Sequence, residues 1–279
     1  MKTHLFTVGR SRRPVTITLV IGAVILLSFI AIGAAPNLFA PYDPNEFNYD
    51  ALRSAPSMDH PFGTDHFGRD VLSRVIWGAR IDLQIALGGT IIPIFLGTMI
   101  GALVGYFGGW AELAFGRLVD MVIAFPFLVL VIAIIAVLGP GLTNMYIAVS
   151  IIGWVTYARL MRSEILVQEK MDYAAAGRGM GYTTTRVIFR HLLPNAITPI
   201  IVYWMTDMAL VILLGSSLGY LGLGAQPPTP EWGVLIADGK NFMTTAWWIS
   251  TFPGIAIILV GVGFSLVGDG LADFLRPRA

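Results

Sequence analysis

The chain has 279 residues, 56% of them hydrophobic and 13% charged, with a formal net charge of +1. A soluble domain carries roughly 25% charged residues, so this chain cannot cover its own surface in water and its natural solvent is a lipid bilayer. The near-zero net charge gives no electrostatic case for nucleic acid, and the absence of cysteine excludes a disulfide framework, a Cys-ligated metal and a thiol nucleophile.

Six apolar runs follow one another, each long enough for ~30 Å of hydrocarbon. After a short N-terminus, residues 1–14, the first runs from Val15 to Ala35 with no charged residue. The second covers Leu83 to Phe107, the third Leu118 to Leu138 with Asp120 inside it, and the fourth Leu142 to Ala158. The fifth, Ala196 to Leu221, contains Asp207, and the sixth runs from Ala246 to Val267. A soluble fold would need six buried helices of this length with no polar face. The expected architecture is all-α: a polytopic membrane helix bundle of about six transmembrane helices.

The first run is preceded by Arg10, Arg12 and Arg13 and ends in Gly33, Ala34 and Ala35, as a signal peptide would. Its apolar stretch of about 21 residues exceeds the ~7–15 of a signal core, and five more spans follow. Residues 15–35 are therefore expected to form an uncleaved first helix.

Basic residues set the orientation. With the N-terminus inside and six spans, one side holds Lys2, Arg10, Arg12, Arg13, Arg117, Arg159, Arg162, Lys170, Arg178, Arg186, Arg190, Arg276 and Arg278. The other holds Arg53, Arg69, Arg74, Arg80 and Lys240. Both termini and the 159–195 loop are expected in the cytoplasm. Residues 36–81 then form a long outer loop rich in Pro, Asp, Asn and Gly, before a five-helix core over residues 82–279. A second outer loop covers residues 222–245. Either loop could cap the bundle or meet a soluble substrate-delivery partner; composition leaves both open.

The inner loop carries Asp172-Tyr173-Ala174-Ala175-Ala176-Gly177-Arg178-Gly179-Met180-Gly181. Asp172 suits an N-cap, the alanines favour helix and Gly181 suits a stop. A helix of about 8 residues is marginal in water, and Gly177 and Gly179 each weaken it by up to ~1 kcal/mol. Something must hold it: the rest of this chain, the membrane surface, or a groove on another protein that small side chains can approach closely. Spacing alone does not choose.

The other candidate signals are weaker. Gly177 to Tyr182 looks superficially like a nucleotide loop, but no strand pattern precedes it, and no Gly-x-x-x-x-Gly-Lys-Ser/Thr loop is present. His60, Asp65 and His66 have no second ligand cluster and read as solvated loop residues. No Ser-His-Asp set can be assigned, so no catalytic, cofactor or metal residue is expected. Gly97, Gly101, Gly105 and Gly109 form a small-residue face for close helix packing, within this chain or against a partner. Asp120 lies one turn from Arg117 and is expected to pair with it. Asp207 lies nearer mid-membrane beside Tyr203, Trp204 and Met208. Intramembrane acids face a bundle interior or a water-filled path, which makes Tyr203, Trp204, Asp207 and Met208 candidates for a translocation pathway; the alternative is a buried, hydrogen-bonded structural role.

The inner loop resembles the EAA signature of ABC importer permeases: Glu-Ala-Ala, three residues, Gly, nine residues, Ile, one residue, Leu-Pro. Ala175, Ala176 and Gly177 stand at its first three positions, Gly181 matches the glycine, His191 stands at the isoleucine, and Leu193-Pro194 match the end. The glutamate is thus replaced by Ala175 and the second alanine by Gly177. Further segments resemble the C-type subunit of dipeptide/oligopeptide permeases, from about residue 15 onward. They are His60 to Asp65 with Gly68 to Arg74, Ala124-Phe125-Pro126, Arg190 to Asn195, Leu221 to Gly224, Gln226-Pro227-Pro228 with Pro230 and Trp232-Gly233, and Gly268 to Asp273 with Pro277-Arg278.

The resemblance implies a type I ABC importer permease fold in a bacterial inner membrane. It also implies a second permease subunit, two ATP-hydrolysing subunits and an extracytoplasmic solute-binding protein as partners, with no enzyme activity on this chain. It makes Asp172, Ala175, Ala176, Gly177, Gly181, Leu193 and Pro194 the residues that couple to an ATPase. The implied cargo is a di- or oligopeptide, with a nickel complex, glutathione or another small solute as the alternative. An ATP-independent secondary transporter is a more distant reading, because no proton relay or inverted repeat is visible.

Overall fold

A computed structural model describes residues 17–275. The expectations placed on residues 1–14, and on Arg276, Pro277 and Arg278, lie outside the described residues. The chain is helical almost throughout. The elements are α1 (Ile17–Ala34), the single turn α2 (Pro36–Phe39), α3 (Val71–Phe107), α4 (Gly109–Ile123), α5 (Phe127–Leu138), α6 (Leu142–Gln168) and α7 (Asp172–Gly179). They are completed by α8 (Thr184–Tyr220), α9 (Trp232–Gly239) and α10 (Trp248–Leu275).

Among the described residues, α1, α3, α8 and α10 are long and apolar enough to cross a membrane, and a fifth span is added if α4 and α5 count as one. Their outer faces carry exposed apolar side chains, such as Ile17, Val24 and Leu27 on α1, Phe95 on α3, Leu213 on α8 and Ile258 on α10. That pattern suits lipid as the solvent. At 37 residues α3 is about 55 Å long, so one end projects beyond the hydrocarbon.

Two spans differ from the sequence expectation. The third is not one helix, because α4 and α5 meet at 84° across residues 124–126. Pro126 stands there, lacks the N–H a continuing helix needs and clashes with the preceding turn. The fourth, α6, is long enough at 27 residues but does not reach the hydropathy of the others. It packs against α3, α5 and α8, so polar members such as Ser150 and Tyr157 are buried in protein rather than lipid.

The glycine face of α3 finds its partner inside this chain. A Cβ on Gly97 would overlap the Trp154 carbonyl of α6, one on Gly101 the Ala158 carbonyl, and one on Gly105 would lie 3.0 Å from the Arg162 carbonyl. Small residues let these two backbones nearly touch. Gly109 takes no part; it opens α4, with nothing within 4 Å of its would-be Cβ. A second core joins α1, α3, α8 and α10 around Met208, Ile212, Trp232, Trp248, Val260 and Phe264.

Candidate functional site

α7 forms as an eight-residue helix, with one correction to its cap. Met171 is the N-cap and donates no side-chain bond, while Asp172 is the first helical residue. There its charge still complements the helix dipole. The C-terminus closes at Gly181, whose φ of +76° suits glycine. Tyr182 N–H donates to the Gly177 carbonyl (3.2 Å) and Gly181 N–H to that of Arg178 (3.0 Å), the paired bonds of a Schellman stop.

The two faces of α7 divide the partners that its sequence left open. Ala174 and Gly177 are buried, Ala174 in a cluster with Ile165, Val187, Ile188 and Leu192. Tyr173 Oη donates to Gln168 Oε1 at 2.7 Å. Asp172, Ala175, Ala176 and Gly179 point away from the chain and are exposed. Of the remaining loop candidates, Leu193 is half-buried and Pro194 exposed. They follow a wide π-turn over Val187–Leu192, which loosens the backbone where Pro194 withholds its N–H. Asn195 Nδ2 donates to the His191 carbonyl at 2.6 Å.

The four pathway candidates do not share one surface. Met208 is buried in the core beside α3 and α10, and Trp204 Nε1 donates to Thr90 Oγ1 of α3 at 2.8 Å. Asp207 accepts a 2.6 Å bond from Tyr157 Oη of α6, and the Tyr157 and Tyr203 rings meet edge to face at 5.1 Å. Asp207 also lines a groove of about 280 Å³ between α5 and α8, with Phe127, Leu128, Leu210, Leu214 and Ser217. It is therefore both hydrogen-bonded and open to a groove. Asp120 departs from expectation: it is exposed and makes no ion pair with Arg117 among the described residues. Both line a groove of about 580 Å³ with Arg159, Arg162 and Glu112, where Arg162 pairs with Glu112 instead.

The loops over residues 36–81 and 222–245 contain what the sequence reading missed. Asp65 is not a solvated loop residue; it is buried, and Arg69 Nε meets it at 2.6 Å. Arg69 Nη2 reaches Asp238 of α9 at 3.2 Å, and Arg74 lies 3.8 Å from Asp65 and 3.7 Å from Asp238. Arg74 Nη1 also donates to the Pro44 carbonyl at 3.0 Å. His60 Nδ1 pairs with Asp70 at 2.9 Å, and Asp70 caps α3 through Ser73 N–H. Trp248 Nε1 donates to the Thr64 carbonyl and Phe62 stacks on Phe252 of α10 at 3.9 Å. The inner side of this loop thus caps the bundle, while Tyr42, Phe47, Tyr49, Leu52 and Met58 remain exposed on its outer side. No group of three or more potential metal ligands occurs among the described residues.

Similarity to known proteins gives this membrane bundle its class. The chain belongs to the family of binding-protein-dependent transport system inner membrane components, whose model matches residues 97–279. It is 39% identical over 259 residues to the dipeptide transport system permease protein DppC of Alkalihalophilus pseudofirmus, covering 93% of this chain and 85% of that one. It is 40% identical to the di/tripeptide permease DppC of Pseudomonas aeruginosa (91% and 86% covered) and 38% to the glutathione permease GsiD of Pectobacterium atrosepticum (93% and 86%). The fold matches a chain of the inward-facing MetNI methionine ABC transporter with a TM-score of 0.52 at 17% identity, over 72% of this chain and 98% of that one.

The protein is accordingly an inner-membrane permease subunit of an ABC importer with a type I fold, a transport component rather than an enzyme. Family membership implies ATPase and binding-protein partners.

Proposed function

We propose that this chain is the C-type permease of an importer for di- and tripeptides, working beside a second permease subunit and two ATPases. The observation that carries the cargo is the near-full-length likeness to permeases named for dipeptides, di/tripeptides and glutathione. Glutathione, itself a tripeptide, is the second reading.

In this mechanism both termini and α7 face the cytoplasm, and the loops at 36–81 and 222–245 face the binding protein. The exposed face of α7 (Asp172, Ala175, Ala176 and Gly179) lies in an ATPase groove, while Ala174 and Gly177 hold the helix to α6 and α8. Gly181, Leu193 and Pro194 fix its exit. ATP binding biases the inward-open to outward-open equilibrium through this contact. Tyr203 and Asp207 border the path beside α5; a carboxylate there would attract a peptide's ammonium end. Trp204 and Met208 support it from the core.

Uptake by the complete importer in proteoliposomes tests the cargo. Labelled dipeptide uptake, competed by unlabelled di- and tripeptides and weakly by glutathione, is the expected result. Uptake competed by glutathione or a nickel complex alone would replace the reading. A single cysteine at position 50 tests orientation, since the chain has no other; labelling only from the cytoplasmic side would reverse it.

A further inference from the structure

Two carboxylic acids meet where α9 docks on the bundle. Asp82, of α3, and Glu231, which precedes α9, are both fully buried (0% exposed), and Asp82 Oδ2 accepts at 3.1 Å from the N–H of Trp232, the residue next to Glu231. They lie 149 positions apart in sequence, and neither belongs to α7 or to the Asp207 groove. We infer that Asp82 and Glu231 hold a single proton between them, making this junction a proton-binding site that clasps α9 to α3 and α8.

Two ionised carboxylates have only acceptor oxygens and repel each other, so two acids buried at one junction are held there by a proton. The remaining partners place it. Glu231 caps α9: Oε1 accepts from Gly233 N–H at 2.7 Å and Oε2 from Val234 N–H at 2.9 Å. Two backbone donors at a helix N-terminus favour the charged form, so Glu231 is the carboxylate. Asp82 accepts from Ser216 Oγ at 3.3 Å and from Trp232 N–H at 3.1 Å, and carries the proton toward Glu231. The site is built to this shape, since a Cβ at Gly219 would overlap Glu231 Oε2.

Among the described residues no cation offers an alternative neutralisation. Tyr146 of α6 lies within electrostatic reach of Asp82, and Ser216 is the polar side chain facing the pair from α8. On the flanking elements, Arg74 is held by Asp65 and Asp238, Arg80 is exposed and Lys240 sits 5.7 Å over the Tyr220 ring. Asp238, the acid on α9 itself, is engaged by Arg69 and Arg74. Burial pushes the Glu231 carboxyl above the ordinary carboxylate range.

The sign follows from linkage. The folded pair keeps a proton that the unfolded chain releases near pH 4. Stability contributed by the pair is therefore present at low pH and lost as pH rises through the raised value. The test compares the purified importer complex with its Asp82→Asn variant, whose amide N–H replaces the proton, by thermal unfolding from pH 4.5 to 9.5. The variant should gain on the wild type steadily with pH, by at least about 3 °C across the range. A constant offset between the two curves overturns the inference, as does a gap set by sodium concentration rather than pH. Glu231→Gln, which supplies the donor from the other side, should flatten the same limb; an unchanged limb counts against the pair. If neither variant assembles, wild-type infrared spectra decide: a protonated-carboxyl band that persists at pH 7.5 and titrates together with the unfolding midpoint supports the site, and its absence overturns it.

Discussion

The cap formed by the 36–81 and 222–245 loops and α7 sit at opposite ends of the same bundle and are fixed by different chemistry. The cap is tied by buried charges and indole N–H bonds: Asp65, Arg69, Arg74 and Asp238 in one network, with Trp232 and Trp248 donating to the Val75 and Thr64 carbonyls. α7 is held by two small residues on one face and a turn at Gly181. A group that loses its partner in a buried ionic network is strongly destabilising, so the cap tolerates little displacement. α7, seated on an alanine and a glycine and tied by Tyr173, leaves its other face exposed. The pinned end suits a surface that must keep its shape; the lightly held end suits one that another protein moves.

Substitutions can break that contrast, starting with the largest effect. Arg74→Met leaves Asp65 and Asp238 short of a partner and frees the Pro44 carbonyl; a loss of about 3 kcal/mol or more should appear as collapsed complex yield and midpoint in detergent. Gly101→Leu forces a side chain between α3 and α6 and should cost about 1–3 kcal/mol by the same assay, while the conservative Gly101→Ala costs less.

Asp207→Asn keeps the shape but turns the charge-assisted bond from Tyr157 into a neutral one, a loss of about 1 kcal/mol. Reduced peptide uptake with near-normal yield supports the groove; unchanged uptake and yield would remove Asp207 from the mechanism. The smallest change in stability belongs to α7. Ala176→Trp, on an exposed position, should stay within about 0.5 kcal/mol of wild type, yet lower peptide uptake per ATP hydrolysed at least tenfold. Wild-type coupling in an intact complex would sink groove docking. As a control at the same end, Arg178→Ala removes the 3.4 Å exposed pair with Glu169 and should change stability by under about 1 kcal/mol.

The parts of the molecule that obey local rules were readable from the sequence. Apolar runs marked α1, α3, α8 and α10, because lipid-facing helices advertise their solvent residue by residue. The glycine spacing of α3 identified a close seam, and Gly181 the stop of α7. The misses share a cause: they depend on contacts distant in sequence. Asp65 reads as a loop acid until Asp238, 173 positions later, brings α9 against the same arginines. Asp82 and Glu231 carry no local sign of pairing. Asp120 near Arg117 satisfied a spacing rule, but both are exposed and make no ion pair with each other among the described residues. The third span was read as one continuous run, although Pro126 lies inside it; the 84° bend there goes with the packing of α5 on α6.

The seam of Gly97, Gly101 and Gly105 has a mechanical meaning. Two helices whose backbones nearly touch form a beam far stiffer than either rod, with α6 alone about 40 Å long. Such a beam pivots instead of flexing. α7 hangs from one end, Tyr157 holds Asp207 along its middle, and the helix that carries Asp82 runs on to the cap at the other end. A tilt of about 5° at one end of a 40 Å arm becomes a swing of about 3–4 Å at the other. Three places that look unrelated along the chain are stations on one lever.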